Sequence, residues 1–208
     1  MLYLIRHAEP LNALVAGDAI LLSDEASVLT PHGHAQAQSL ATEFARLGNA
    51  KVFSSTMPRA QQTAEPIAAA LSASLQFDAR LAERDFSRLT GLSAQASQAL
   101  QLQNYLSPGA SLLGEETLAA QRARVSAWLA DHAADLEAAI EQSVIVVCHG
   151  GTIEHLFAEL IGIPLAAMAR YFLACDYACF LAVRPMRFDG QLVYRVDGVN
   201  LGRLPENR

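Results

Sequence analysis

Short apolar runs alternate with amphipathic stretches through most of the chain, and the period of the pattern separates strands from helices. Residues 2–5, Leu-Tyr-Leu-Ile, predict a short buried strand, and residues 143–148, with Val-Ile-Val-Val at their centre, predict the clearest one. Residues 51–53 predict a third, brief strand. Between these runs the period becomes helical. Thr30 followed by Pro31 supplies an N-cap and a proline at the first helical position. Ala37, Leu40, Ala41, Phe44 and Leu47 then form one apolar stripe that stops at Gly48. An alanine-rich helix is predicted over residues 58–72. A long one over residues 116–141 would bury Leu118, Val125, Trp128, Leu129, Leu136 and Ile140. Gly150-Gly151-Thr152 leads from the Val-Ile-Val-Val strand into another helix, and residues 178–183 and 192–196 predict a hairpin around Asp189-Gly190. This β-α-β alternation implies an α/β fold, with a mostly parallel sheet and helices on both faces.

One stretch fits neither period. Residues 92–113 are rich in Gln, Ser and Ala and hold no Lys or Arg, which suggests an insertion or lid over the domain. No internal repeat or long linker interrupts the chain, and 208 residues suffice for one well-buried domain spanning 1–208.

Composition narrows the function. Hydrophobic residues make up 52% and charged residues 17%, so a packed core is expected. A net charge of −6 and a pI near 5.5 argue against a nucleic-acid or acidic-membrane partner, both of which need a positive field. Any anion site must therefore be local. Cys148, Cys175 and Cys179 lack zinc-like pairing and sit in apolar runs that read as core strands, so reduced structural thiols are expected. No cleavable secretion signal and no run of about eighteen apolar residues is evident, which leads to the expectation of a cytoplasmic protein that does not span a membrane.

Candidate chemistry lies where predicted strands end, because ligands of such sheets bind beyond the carboxyl ends of the strands. Arg6 and His7 follow the first strand, His149 and Gly150 follow the Val-Ile-Val-Val strand, and Arg59 opens the helix behind residues 51–53. Two histidines and two arginines would thus converge on one sheet edge. Guanidinium forks and helix-start amides hold a phosphomonoester dianion, and a neutral imidazole can attack its phosphorus in line. His7 is the candidate nucleophile. A second, cationic imidazole, His149, would bond the equatorial oxygens as charge redistributes. The leaving alkoxide needs a proton, for which Glu83 is the candidate donor, with Asp85 and Glu9 as alternatives. The chemistry asks for no metal and no cofactor, and the implied partner is a small phosphorylated substrate. Oligomeric state is not legible.

These residues resemble the histidine phosphatase superfamily, also called phosphoglycerate-mutase-like. Leu4-Ile5-Arg6-His7-Ala8-Glu9-Pro10 resembles its leading Arg-His-Gly motif, and residues 29–37, Leu-Thr-Pro-His-Gly-His-Ala-Gln-Ala, resemble the segment that follows it. Residues 54–64, Ser-Ser-Thr-Met-Pro-Arg-Ala-Gln-Gln-Thr-Ala, match the second arginine motif almost throughout. Leu81-Ala82-Glu83 with Gly91 resembles the acid-donor segment. Glu116-Thr117 with Arg124-Val125 resembles a later helix start, Val147-Cys148-His149-Gly150-Gly151 the second-histidine motif, and Val199-Asn200 a late Val-Asn. The resemblance implies a three-layer α/β/α sandwich with a mixed, mainly parallel sheet and no obligatory metal. It also implies His7 as nucleophile, with Arg6, Arg59 and His149 as the phosphate pocket. Departures fall around the nucleophile and the acid: Ala8 stands for a usual glycine, Pro10 for a threonine or serine, and Ser87 for a common glycine. Asn12 lies one place before the family's phosphate-contacting asparagine.

Three functions compete. A phosphomonoesterase is favoured. A phosphoglycerate mutase shares every motif but must hold a second anion, and residues 92–113 offer no cation. Near the acid segment, Arg84 is the one arginine between Arg80 and Arg88 expected to lean inward. A non-catalytic phosphate-binding regulator is the third. His32, His34, His132 and His155 lack partners that would give them a task and are expected at exposed or packing positions.

Overall fold

The computed structural model describes residues 1–11, 28–85, 92–111 and 114–204. Asn12, Ser87, Arg88 and Gly91 lie outside the described residues, as do two positions of the 92–113 stretch. One six-stranded sheet carries the fold, with strands β1 (Leu2–Arg6), β2 (Ala50–Ser55), β3 (Leu75–Asp78), β4 (Ser143–Cys148), β5 (Phe180–Phe188) and β6 (Gln191–Leu201) in the order β3-β2-β4-β1-β5-β6. The first three pairings are parallel and the last two antiparallel, so the sheet is mixed as expected. Strand alternation builds two cores. Leu2 and Leu4 of β1 and Val144 and Val146 of β4 face one side, with Trp128 and Ile153 packed on them. Tyr3, Ile5, Ile145 and Val147 face the other, against Leu40, Phe44 and Ile67. Helices therefore cover both faces: α1 (Pro31–Phe44) and α2 (Pro58–Leu71) on one, α4 (Leu118–Asp131), α5 (Ala133–Ala138) and α6 (Gly150–Leu160) on the other. A further helix, α3 (Ala94–Leu106), lies between β3 and α4 in the chain.

The helix predictions hold where capping and period agree. Thr30 Oγ1 accepts from the Gly33 amide at 2.9 Å, as an N-cap should, and the α1 stripe is buried through Phe44. Gly33 itself is dictated by packing, since a Cβ there would fall on the Glu9 carbonyl. The hairpin turns at Asp189 and Gly190, both at positive φ (50° and 77°), which is the geometry a type I′ turn needs, although both strands run longer than predicted.

Other expectations are corrected. The helix predicted over residues 116–141 is two helices broken at His132, whose ring stacks on Trp128 (centroids 4.6 Å) and meets Phe53 edge-on. Its Nδ1 and its backbone N–H both reach the Trp128 carbonyl, tying off α4 there. Leu136 is still buried, in α5, but Ile140 is 42% exposed. Strand β3 was not predicted, because Leu-Gln-Phe-Asp is an edge strand with little burial to mark it. Residues 94–106, read as aperiodic, form α3, with Ser93 Oγ capping the Ala96 amide. Of the cysteines, only Cys148 lies in a strand. Cys175 and Cys179 are in the loop before β5, and all three thiols are free.

Candidate active site

Strand register assembles the site. Because Arg6 pairs with Cys148, the residues that follow, His7 and His149, emerge side by side, with ring centroids 5.0 Å apart. Ser54 pairs with Val147 on the other side of β4, which brings Ser55 to His149: its Oγ lies 2.9 Å from His149 Nε2. Arg59, in the first turn of α2, donates from Nε to His7 Nε2 at 3.2 Å. The sequence-predicted histidines and arginines are thus brought together at the carboxyl ends of β1, β2 and β4.

Hydrogen bonds fix the tautomers. His7 Nδ1 lies 2.8 Å from the Ala8 carbonyl, which can only accept, so the proton sits on Nδ1 and the lone pair on Nε2. Ser55 Oγ already accepts from the Met57 amide at 3.2 Å. Its hydroxyl proton can be given to His149 Nε2, an arrangement that puts the His149 proton on Nδ1. Burial pushes both imidazoles well below the ordinary histidine value. The Arg59 and Arg6 charges add to this for His7, and His7, Arg59 and Arg6 add to it for His149. Burial and its cationic neighbours thus keep His7 neutral. A cationic His149, expected from the sequence, is disfavoured by burial first and then by the His7, Arg59, Arg6 and Arg124 charges.

Arg6 lies under Tyr177, its guanidinium 4.1 Å from the ring centroid, and donates from Nη1 to the Cys175 carbonyl at 2.8 Å. Arg6 Nε and His149 Nδ1 are buried and have no acceptor among the described residues. Unmet donors at the adjacent ends of β1 and β4 suit an anion, because leaving each unmet costs about 1–3 kcal/mol. Gly150 opens α6, where backbone amides have no partner within the helix.

Of the three candidate proton donors, one faces the cavity. Glu83, Arg6, Gly150 and Gly151 line a chamber of about 840 Å³. Glu83 accepts from the Gly151 amide (3.0 Å), the Arg84 amide (2.9 Å) and Gln121 Nε2 (3.0 Å). A Cβ at Gly151 would stand 2.7 Å from Glu83 Oε1, so any other residue there would displace the Glu83 carboxyl. Arg124 anchors the segment by donating to the Arg80 and Ala82 carbonyls while paired with Glu116. Glu9 instead turns toward α1, its Oε1 accepting from Thr30 at 2.7 Å, and Asp85 is exposed.

Several members were missed in the sequence. Ser55 and Thr63 stood inside the 54–64 segment and could have been found there. Thr63 Oγ1 accepts from the Ala8 amide (3.0 Å) and donates to the Arg59 carbonyl (2.7 Å), locking the loop after His7 to α2. Tyr177 and Gln121 gave no local signal. Asn200, noted only as part of Val-Asn, secures the Tyr177 loop by bonding Asp176 through Oδ1 and Nδ2. His32 and His34 are exposed, while His132 and His155 are packing residues. Among the described residues no cluster of three or more His, Cys, Asp or Glu is placed to hold a metal ion, and no helix is long and apolar enough to cross a membrane.

Fold and site together define an α/β protein with a buried, doubly cationic anion pocket at strand ends. The chain belongs to the histidine phosphatase superfamily (branch 1), whose family profile matches residues 2–197. It is 33% identical over 173 residues to a Hydrogenobacter thermophilus protein assigned the name phosphoserine phosphatase 2, covering 79% of this chain and 80% of that one. It is 30% identical over 175 residues to a Salmonella paratyphi A protein assigned the name phosphoglycerate mutase, covering 81% and 78%. The fold also matches a solved mycobacterial glucosyl-3-phosphoglycerate phosphatase, with a TM-score of 0.79, 21% identity, and 96% and 98% coverage.

Proposed function

We propose that this chain hydrolyses a small phosphomonoester through a phosphohistidine on His7. The observation that carries the reading is the pair of unmet buried donors, Arg6 Nε and His149 Nδ1, beside a neutral imidazole whose lone pair sits on Nε2. In the first step His7 Nε2 attacks phosphorus, the bond to the leaving oxygen breaks, and Glu83 gives that oxygen its proton. In the second, water attacks phosphorus, its proton passes to Glu83, and the P–N bond breaks to release phosphate and neutral His7. Arg6, Arg59, the Gly150 amide and His149 Nδ1–H hold the phosphoryl oxygens throughout. The Arg59 N–H that rests on His7 Nε2 turns to a phosphoryl oxygen and frees the lone pair for attack.

The same reading takes residues 1–208 as one catalytic domain, with 92–113 as its lid, and needs no metal or cofactor. It places the enzyme in the cytoplasm, in keeping with three free thiols. The test is turnover of p-nitrophenyl phosphate by the purified chain, in EDTA, compared with His7→Ala. Activity that survives chelation and vanishes in the variant is expected; loss on chelation with rescue by magnesium would refute the metal-free scheme. The mutase reading, kept in view by the Salmonella relative, requires dependence on 2,3-bisphosphoglycerate. Hydrolysis without that dependence decides for the phosphatase.

A further inference from the structure

The chamber beside Glu83 is far larger than a phosphoryl group, and its volume of about 840 Å³ is that of a site for a whole organic molecule. Its outer wall is α3. Gln95, Gln98, Leu102 and Tyr105 fall at spacings of three, four and three residues, so one face of the helix looks inward, amides at one end and an aromatic ring at the other. Tyr105 meets Phe172 edge-on, with centroids 5.5 Å apart, and Phe172 is 66% exposed at the rim. A flat group seated between Leu102 and Phe172 would find apolar surface, with the Gln95 and Gln98 amides within the same wall.

Charge is the second observation. Among the described lining residues Arg6 and Arg84 are the cations, and Glu83, Glu154 and Asp176 are the carboxylates. Arg6 belongs to the phosphate pocket. Arg84 is buried, and the nearby Glu83, Glu115 and Glu116 charges oppose its own. The carboxylates are engaged too. Glu154 accepts from Tyr105 Oη (2.6 Å) and the Leu173 amide (3.1 Å), Asp176 is held by Asn200, and Glu83 takes its three N–H donors. Burial also raises Glu154 above the ordinary carboxylate value, which lessens its charge. What α3 itself presents to a leaving group is neutral.

We infer that the leaving group is an uncharged, ring-bearing alcohol of nucleoside or glycoside size, recognised by the Gln95/Gln98 amides and the Leu102–Tyr105–Phe172 surface. This inference rests on the phosphatase reading and deepens it. Among the described lining residues a second phosphate or carboxylate on the substrate would meet three carboxylates against one arginine outside the phosphate pocket, Arg84, which already lies among Glu83, Glu115 and Glu116, so such esters are selected against.

The experiment compares kcat/KM of the full chain for p-nitrophenyl phosphate, a nucleoside 5′-monophosphate, a hexose phosphate, 3-phosphoglycerate, phosphoserine and phosphocholine. At least one of the two uncharged-ring esters should exceed 3-phosphoglycerate and phosphoserine by roughly tenfold or more, the discrimination expected for one unpaired charge. Gln98→Arg should narrow that gap by lowering KM for 3-phosphoglycerate, which a merely structural glutamine would not do. If p-nitrophenyl phosphate is turned over but the carboxylated or cationic esters match or outrun both ring esters, the chamber inference is wrong and the phosphatase reading stands. If no ester is hydrolysed, both fall.

Discussion

The phosphate pocket and the chamber next to it are built on opposite principles. The pocket side chains sit at the ends of central strands or in the helix turn that follows; His7, His149 and Arg59 are buried, Arg6 is half-buried, and the steering comes from neighbours: His7 is held by the Ala8 carbonyl and Arg59, His149 by Ser55, the Ala8 amide by Thr63. The chamber wall is a helix remote from the sheet, joined to the α6 side by Tyr105 on Glu154 and the Tyr105–Phe172 contact. Pocket geometry is thus set by sheet register, while the chamber wall is carried by elements that can vary without moving the pocket.

The sharpest way to break this division is to strike the pocket. His7→Ala should lower kcat for every ester by on the order of 10⁴-fold or more, since it removes the proposed nucleophile. Arg59→Lys keeps the charge but loses the fork that reaches His7, and should cost about 10²-fold in kcat/KM on all substrates alike. Glu83→Gln separates the two regions: roughly 10²-fold loss for alkyl esters, with much less for p-nitrophenyl phosphate, whose leaving group needs no proton. Equal losses on both would remove Glu83 from the donor role.

Acid should act on stability before it acts on the nucleophile. Burial holds His7, His149 and His155 below the ordinary imidazole value, His155 at about 3. The unfolded chain then takes up protons first, so stability is full above about pH 6.5. Each group costs about 1.4 kcal/mol per pH unit below that, until its folded value is reached. Glu154, shifted upward, offsets part of the loss. The melting temperature should therefore fall between pH 7 and 5, and His155→Gln should flatten the slope; a slope unchanged by that substitution would show that His155 takes up its proton when folded. The smallest effect belongs to the chamber. Tyr105→Phe removes one donor from buried Glu154 and should cost about 1–2 kcal/mol in unfolding free energy, raising KM severalfold with kcat nearly constant.

The same contrast explains what could be read from the chain. Buried strands such as residues 143–148 announce themselves by uninterrupted apolar runs, and polar residues at their ends stand out, so His7, His149, Arg6 and Arg59 were all legible. Edge strand β3 and the break at His132 were not, because one is barely buried and the other depends on an edge-on ring contact with Phe53 across the core. Helix α3 escaped because it faces a chamber, where Gln and Leu can share one side. Tyr177 comes to Arg6 and His7 from a loop 170 residues along the chain, and Glu154 and Tyr105 meet only in three dimensions.

The central claim is that His7 Nε2 carries the phosphoryl group. Rapid quenching of p-nitrophenyl phosphate turnover in base, followed by peptide mapping, tests it directly. The account predicts a phosphoryl adduct on His7 that survives base and is lost in acid; an adduct on a serine or an aspartate, or one undiminished in His7→Ala, would contradict it.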